Sequence, residues 1–236
     1  YYFSGTAGHA IRVTGGNPNI YLEDAQINVS DGNAIDITGG NPTIHIKGND
    51  NEVSSSGGAG IYVAENSTVT IQGNSTEDAL TCEGNNLNAG IGGYMIDNNT
   101  AYNCGNIVID NVTLTARSGQ TSNVGNYAAG IGAAANAKVG SISISNAIIY
   151  ADGGGDNSTM GAAAIGGGID YLNLSGQTEF DITISNSTIH ATRGCSYASY
   201  IGAGGWHGGT AGYNIISTAN ITGSIIYDES GTEITQ

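Results

Sequence analysis

Few side chains in this sequence can do chemistry, because Lys and Arg together number 5 and His numbers 4. Glycoside hydrolysis, for example, uses two Asp or Glu side chains that flank the scissile bond. The charged and aromatic candidates outside the apolar alternations are Asp97, Arg117, Asp152, Asp156, Asp170, Arg193, Trp206 and His207. Each is explained more simply as a solvated loop charge or a packing aromatic, so no catalytic residue is assigned.

One segment has the composition of a cation site. The sequence DGGGDN, residues 152–157, places carboxylates around a flexible glycine turn, and calcium prefers such oxygen ligands. Asp152 and Asp156 are therefore candidate calcium ligands, although their spacing does not match an EF-hand loop. No other cofactor is expected.

The three cysteines are Cys82, Cys104 and Cys195, and they fit no metal-binding spacing. A disulfide between Cys82 and Cys104 would close a loop and leave Cys195 over. The alternative is that all of them are small buried thiols.

The composition predicts that these residues lie on β-strands and on the loops between them. Gly accounts for 39 of the 236 residues and Pro for 2, and β-branched residues predominate over helix formers. The formal charge of −15 argues against nucleic acid and anionic membranes as partners, since both attract Lys and Arg. No apolar run approaches the ~18 residues of a membrane span. Low Lys with high Asn, Thr and Ser is typical of exported proteins, so an extracellular or cell-surface location is expected.

A repeat runs through the chain. The segment DITISNSTIHA, residues 181–191, is echoed by NIVIDNVTLTA from Asn106 and by SISISNAIIYA from Ser141. The repeating units begin near residues 10, 34, 60, 90, 130, 164 and 200, and the second residue of each unit is Ile. Each unit holds three short apolar alternations, which predicts three strands per unit in a single domain over residues 1–236.

Each unit also carries, between its second and third strands, a residue type that tolerates the left-handed backbone conformation. These corner residues are Asp24, Gly48, Gly73, Asn111, Asn146, Asn186 and Gly223. We expect each of them to turn the chain sharply with a positive φ.

Three strands per turn, a fixed corner and stacked apolar side chains describe a parallel β-helix. The sequence resembles right-handed parallel β-helices of the pectate-lyase-like superfamily, in which an Asn at this corner recurs. The resemblance implies an all-β solenoid of about seven coils with three strands each, roughly 30 Å long at ~4.8 Å per coil. Lyases, hydrolases, adhesins and structural rods share this architecture, so the resemblance implies a fold and not an activity.

Long loops over 117–129 and 152–163 flank the first strands of the later coils, from the fourth to the seventh. We expect them to wall a groove over the first-strand face, where enzymes of the superfamily have their clefts. Alternation predicts that the groove floor includes the uncharged outward residues Gly92, Gly132, Gly166 and Gly202. Such a floor permits close approach by a ligand or by the protein's own loops. The charged groups that the superfamily enzymes need there are missing, which counts against catalysis.

Aromatic rings near this groove are available to stack on sugars. The predicted ligand contacts are Tyr94, Tyr127, Gly132, Gly166, Tyr171, Tyr200, Trp206 and His207. The leading hypothesis is a non-catalytic extracellular module of a surface protein that binds glycan or another surface. One alternative is a polysaccharide lyase or glycoside hydrolase with loop-borne carboxylates. The other is a structural spacer, or a rod that forms filaments by end-to-end self-association.

A second hypothesis concerns the outward residues of the third strands. Thr115, Tyr150, His190 and Tyr227 occupy equivalent positions in successive units. We expect them to align as an exposed ladder, which either stabilises neighbouring coils or contacts a ligand.

Overall fold

The computed structural model describes residues 1–85, 87–97, 100–119, 127–156, 159–170, 177–206, 216 and 219–235. Within these ranges the chain forms strands and connecting segments and no helix, so no helix there could cross a membrane. The all-β prediction is confirmed for this part of the chain. The predicted ligand contacts Tyr171 and His207 lie outside the described residues.

The first of two large sheets is parallel and contains seven strands, one from each predicted unit. In order across the sheet they are β2 (Ile11–Thr14), β4 (Ile35–Gly39), β7 (Ile61–Val63), β10 (Ile91–Gly92), β15 (Ile131–Gly132), β19 (Ile165–Gly166) and β22 (Ile201–Gly202). We call this sheet the first stack.

The second large sheet has fourteen strands and consists of two parallel stacks joined by β3 (Asn19–Val29). The second stack runs from the first half of β3 through β5 (Thr43–Lys47), β8 (Thr68–Gln72), β13 (Asn106–Asp110), β16 (Ile142–Ser145), β20 (Ile182–Ser185) and β24 (Ala219–Thr222). The third stack runs from the second half of β3 through β6 (Asn51–Ser55), β9 (Ala79–Glu83), β14 (Thr113–Arg117), β17 (Ile148–Asp152), β21 (Thr188–Thr192) and β25 (Ile225–Tyr227).

Three shorter pairings complete the strand list. β1 (Tyr2–Ala7) pairs with β3 at one end of the second and third stacks. Two antiparallel pairs lie outside the stacks: β11 (Tyr94–Asp97) with β12 (Thr100–Tyr102), and β18 (Met160–Gly161) with β23 (Gly205–Trp206). This arrangement of long parallel stacks is compatible with a solenoid.

The core consists of apolar side chains that stack in register along each parallel sheet. In the first stack Ile91 pairs with Ile131, and Ile131 with Ile165, and all three side chains are fully buried. Alternation along a strand explains this face, because every second side chain points to the same side. Full burial of one aliphatic side chain contributes about 1.5–3 kcal/mol. The repeated Ile positions therefore fix the register of the stacks.

The predicted corners between the second and third stacks are confirmed at most positions. Asn111, Asn146 and Asn186 have φ values of 55°, 50° and 48°, and Asp24 has 46°. The corner glycines with positive φ are Gly48 and Gly223. A side chain that bonds locally, such as Asn or Asp, tolerates this conformation at low cost. Six of the seven corners therefore turn as the sequence predicts.

The prediction was wrong for Gly73, whose φ is not positive. Five further residues, 74–78, separate it from β9, so this longer segment makes the turn. The Asp78 carboxylate holds the segment by accepting hydrogen bonds from the backbone N–H of Gly48 at 2.9 Å and of Asn74 at 2.7 Å. A left-handed residue is not needed where a longer turn is tied in this way.

The ladder on the third stack is present. The Tyr150 and His190 rings stack at 4.6 Å between centroids, and His190 and Tyr227 at 5.0 Å, with planes within 16° of parallel. A second ladder of Tyr2, Tyr21 and His45 lies on the second stack. Cross-strand ring pairs of this kind stabilise adjacent strands.

The cysteines Cys82, Cys104 and Cys195 are buried free thiols, so the loop-closing disulfide is not formed. Burial raises the pKa of Cys82 and Cys104 well above the usual range, which keeps both thiols protonated. Their role is packing in the core.

Candidate functional site

The glycine row of the first stack is buried, whereas the sequence predicted an exposed groove floor. Gly92, Gly132, Gly166 and Gly202 are all buried and have φ values between 125° and 136°. A Cβ on Gly132 would lie 2.0 Å from the Gly166 carbonyl oxygen, and one on Gly166 would lie 2.2 Å from that of Gly202. A side chain at either position would therefore point along the stack and collide with the backbone of the next strand.

A local bend gives these glycines their conformation. The N–H of Ala129 donates to the Ala133 carbonyl at 2.9 Å, and the N–H of Ala163 donates to the Gly167 carbonyl at 3.0 Å. Each bond closes a tight loop around one Ile–Gly pair, which limits the strand to two residues. Because only glycine adopts such positive φ values readily, backbone packing explains the row without a ligand. Ligand contact by Gly132 or Gly166 stays a prediction.

Two predicted aromatic contacts are buried and present no open ring. Tyr127 is 3% exposed and Tyr200 is 5% exposed. The Arg193 guanidinium lies 4.6 Å above the Tyr200 ring, so a cation–π contact covers that face. Trp206 is half-buried in β23, where it pairs with Met160 of β18. These rings are thus not grouped with each other in the contacts that the structure describes.

The two candidate calcium ligands are each engaged by other groups. Asp152 forms an ion pair with Arg117 at 3.0 Å. Asp156 accepts hydrogen bonds from the backbone N–H groups of Thr159 at 2.6 Å and Met160 at 2.9 Å. Among the described residues no group of three or more His, Cys, Asp and Glu side chains could hold a metal ion. Calcium binding therefore stays a sequence-based prediction.

Arg117 lies in the middle of a charged row at the ends of three neighbouring third-stack strands. It is in register with Glu83 on one side and Asp152 on the other, and it contacts the Glu83 carboxylate at 3.1 Å. A cavity of about 220 Å³ lies beside the row and is lined also by Ser118 and Gly119. All three charged side chains are at least a quarter exposed, so the row adds little stability.

Tyr94 joins two tyrosines that sequence reasoning did not assign to a site. The β11–β12 hairpin places Tyr94 opposite Tyr102, and their rings stack at 5.9 Å with planes 5° apart. Tyr62 of β7 lies against both rings, 5.8 Å from Tyr94 and 6.4 Å from Tyr102, with its plane tilted by about 60°. We call Tyr62, Tyr94 and Tyr102 the tyrosine cluster. Tyr102 is its most open member at 43% exposure, against 8% for Tyr62.

A buried carboxylate lies beside the tyrosine cluster. Asp36 of β4 pairs in register with Tyr62 and is 8% exposed. Its oxygens are held by the Arg12 guanidinium at 3.0 Å and by the Asn33 side-chain amide at 3.0 Å. Asn33 is fixed in turn, because its carbonyl accepts from the backbone N–H of Ala59 at 2.9 Å. A buried charge needs such partners.

Burial and nearby acidic groups raise the pKa values of the Tyr62 and Tyr94 phenols, which keeps both protonated at neutral pH. Burial raises the pKa of Tyr62 to about 12, with further contributions from Cys104 and Asp36. The pKa of Tyr94 is also raised, mainly by burial and next by Asp31. At neutral pH these hydroxyls therefore donate and accept hydrogen bonds but do not act as bases.

The cluster combines apolar rings with a few fixed polar groups, an arrangement that is common at ligand sites. It joins an open aromatic ring, Tyr102, to neutral phenols and to a rigidly held carboxylate, Asp36. Part of the cluster could be anticipated, since Tyr94 was a predicted contact and Arg12, Asp36 and Tyr62 occupy one outward row. Tyr102 could not be assigned to the cluster from the sequence, because only the β11–β12 hairpin brings it to Tyr94.

No protein-family model matches the chain, and no curated protein or solved structure matches it either.

Proposed function

We propose that the chain is a right-handed parallel β-helix of seven coils that forms a non-catalytic, extracellular glycan-binding module of a surface protein. The three parallel stacks and their repeated corners support the coil arrangement. One turn of the chain then contributes one strand to each stack. On this scaffold the outward face of the first stack carries the binding site.

The observation that carries the glycan proposal is the tyrosine cluster beside Asp36. Sugars present flat apolar faces and a rim of hydroxyl groups. Tyr102 offers a partly open ring for the face, and the half-buried phenol of Tyr94 offers a hydrogen-bond partner for the rim, while the buried Tyr62 and Asp36 hold the cluster in place. Ligand sites commonly combine apolar rings with a few fixed polar groups.

The charge of the chain narrows the class of glycan. With a formal charge of −15, the protein repels polyanions, so uronic-acid polymers and sulfated glycans are poor ligands. A neutral or basic glycan fits best.

The exposed ladder on the third stack is less suited to sugars. His190 is covered on both ring faces by Tyr150 and Tyr227, at 4.6 and 5.0 Å. Stacking on a sugar requires a free ring face, and the central ring of the ladder has none. Its support for neighbouring strands is a sufficient explanation.

The matched test compares two tyrosines of nearly equal exposure on different faces. Tyr102 is 43% and Tyr150 42% exposed. The intact chain is screened on an array of neutral, basic and acidic glycans, and the best hit is titrated by calorimetry. We expect Tyr102→Ala to weaken binding about 3- to 10-fold, the value of one aromatic contact. Tyr150→Ala should bind like the wild type, with melting temperatures recorded for both variants.

Three results would overturn this assignment. Weakening by Tyr150→Ala alone would move the site to the ladder. Release of shorter products during incubation would favour the lyase or hydrolase alternative, with the Glu83–Arg117–Asp152 row as the first place to mutate. Absence of binding together with concentration-dependent filaments would favour the rod.

A further inference from the structure

The accessible part of the tyrosine cluster consists of two parallel rings. Tyr102 is 43% exposed and Tyr94 is half-buried, and their planes lie within 5° of each other with 5.9 Å between the ring centroids. The Tyr62 ring lies against both at a tilt of about 60° and is 8% exposed, so it forms the inner wall of the cluster. Solvent and ligands therefore reach the cluster through Tyr102 and Tyr94.

Acidic residues lie next to both accessible rings. Glu65 follows β7, and its carboxylate accepts a hydrogen bond at 3.2 Å from the side-chain amide of Asn103, the residue directly after Tyr102. The pKa of Tyr94 is raised mainly by burial and next by the negative charge of Asp31. Glu65 and Asp31 are both exposed. The accessible rings therefore lie in a region of negative potential.

The basic residues of the chain do not cancel this charge. Lys and Arg together number 5, and Arg12, in the same outward row as Tyr62, is paired with Asp36 at 3.0 Å. Within the described residues neither Glu65 nor Asp31 forms an ion pair. The backbone of Lys138 approaches this region, but its ammonium pairs with neither carboxylate. Two carboxylates are therefore available to an incoming cation.

We propose that the tyrosine cluster binds an organic ammonium group, and that the glycan ligand of the chain is therefore cationic. The face of an aromatic ring attracts primary and quaternary ammonium groups within about 6 Å of the ring centroid. The carboxylates of Glu65 and Asp31 add a Coulomb attraction that a neutral sugar does not receive. Only the glycan carrier rests on the proposed function, because a small cation occupies the ammonium site by itself.

The first probe is choline, compared with its uncharged isostere in which carbon replaces the quaternary nitrogen. Each is titrated into the ¹⁵N-labelled full chain while the amide shifts of Tyr94 and Tyr102 are followed. Because the two molecules have nearly the same shape, apolar contact alone would bind them equally. We expect choline to bind about 3- to 30-fold more tightly than the isostere. Added salt should reduce this preference. Equal binding of the two molecules would overturn the proposal.

Variants of Tyr102 separate the ring from its apolar volume. Tyr102→Phe keeps a ring face and should retain choline affinity within about 2-fold, whereas Tyr102→Leu should lose most of the preference for choline over the isostere. Tyr150→Leu on the third stack, where Tyr150 is 42% exposed, is the control and should keep the preference. Melting curves check that all three variants remain folded. An unchanged preference in Tyr102→Leu would contradict the assignment.

A second pair of variants tests the charge. Glu65→Gln removes the charge while its amide oxygen still accepts from Asn103. We expect choline affinity to fall about 2- to 5-fold and affinity for the isostere to stay the same. Glu77→Gln makes the same change of charge at an exposed position in the turn between β8 and β9, and it should bind choline like the wild type. An equal loss in both variants would show that the net charge of the chain, and not the cluster, attracts the cation.

Matched glycans identify the carrier of the ammonium group. An oligomer of glucosamine and the N-acetylated oligomer of the same length differ in their ammonium groups, so tighter binding of the first identifies an amino sugar. Preference for a choline-substituted glycan over its unsubstituted form identifies a quaternary ammonium. Choline binding without any glycan ligand would support the ammonium site and overturn the glycan function. Glycan binding with no preference for the charged member of either pair would overturn the ammonium site and leave the glycan function in place.

Discussion

The first stack has two different halves on one continuous sheet. In β2, β4 and β7 the outward row carries Arg12, Asp36 and Tyr62, on strands of three to five residues. From β10 onwards each strand has two residues, and the equivalent positions are buried glycines. The inward Ile row runs unchanged through both halves. The same buried Ile row therefore supports two kinds of outward row. One half carries polar and aromatic side chains, of which Arg12 is exposed and Asp36 and Tyr62 are buried, and the other half packs closely through its backbone.

The largest effect is expected from placing a side chain in the packed half. Gly166→Ala combines a Cβ that would lie 2.2 Å from the Gly202 carbonyl with a φ of 127°. We expect a loss of about 3 kcal/mol or more in the free energy of unfolding, measured by urea denaturation. The control is Gly15→Ala, where a Cβ meets nothing within 4 Å and φ is not positive. A Gly166→Ala variant as stable as the control would show that the row is open after all.

We expect a substitution at a corner residue to cost the same stability in the coils of either half. Asp24 in the first half and Asn146 in the second have φ values of 46° and 50°. Val at either position should cost about 1–2 kcal/mol, because a β-branched residue resists the left-handed conformation. Asn146→Gly controls for the lost side chain, which donates to Asp110 at 3.0 Å. A large cost at only one corner would mean that the halves differ in more than their outward rows.

A smaller effect is expected from alkaline pH at the tyrosine cluster. The pKa of Tyr62 is raised from 10.0 to about 12 in the folded chain, chiefly by burial. Protonated Tyr62 therefore contributes stability that is complete below pH 10.0 and is lost as the pH rises through about 12. Melting temperatures between these limits should fall, and Tyr62→Phe should reduce the fall.

Tyr200 provides the comparison in the packed half, because burial also raises its pKa to about 12. Tyr200→Phe should reduce the alkaline fall in the same direction. If neither variant changed the slope, burial of these phenols would not account for the loss.

The strands and corners were predictable because their signals are local. Alternating Ile and Val identify strands, and Asn at a fixed place identifies a left-handed corner, as at Asn146. Gly73 departed from this rule because its turn depends on the Asp78 carboxylate, a contact that no local pattern contains. The glycine row departed from it because alternation assumes an extended strand, and a φ of 136° at Gly132 redirects the side-chain position.

The candidate site was harder to predict because its parts come from separate strands. Tyr62 and Tyr102 are forty residues apart in the sequence and meet only through the β11–β12 hairpin. The predicted rings of Tyr127 and Tyr200 are buried, because loop aromatics in a glycine-rich chain also fill space under the loops. Alternation therefore identified the outward row of the first stack but did not show which of its positions carry side chains and which pack against the next backbone.

NMR can show whether a ligand contacts the half of the first stack that carries side chains or the glycine row. Amide chemical shifts of the ¹⁵N-labelled chain are followed while the best glycan from the array is added to saturation. We expect the largest shift changes at Tyr62, Tyr94 and Tyr102, with Gly132, Gly166 and Gly202 unchanged. Large changes along the glycine row, with the tyrosine cluster unaffected, would contradict this expectation.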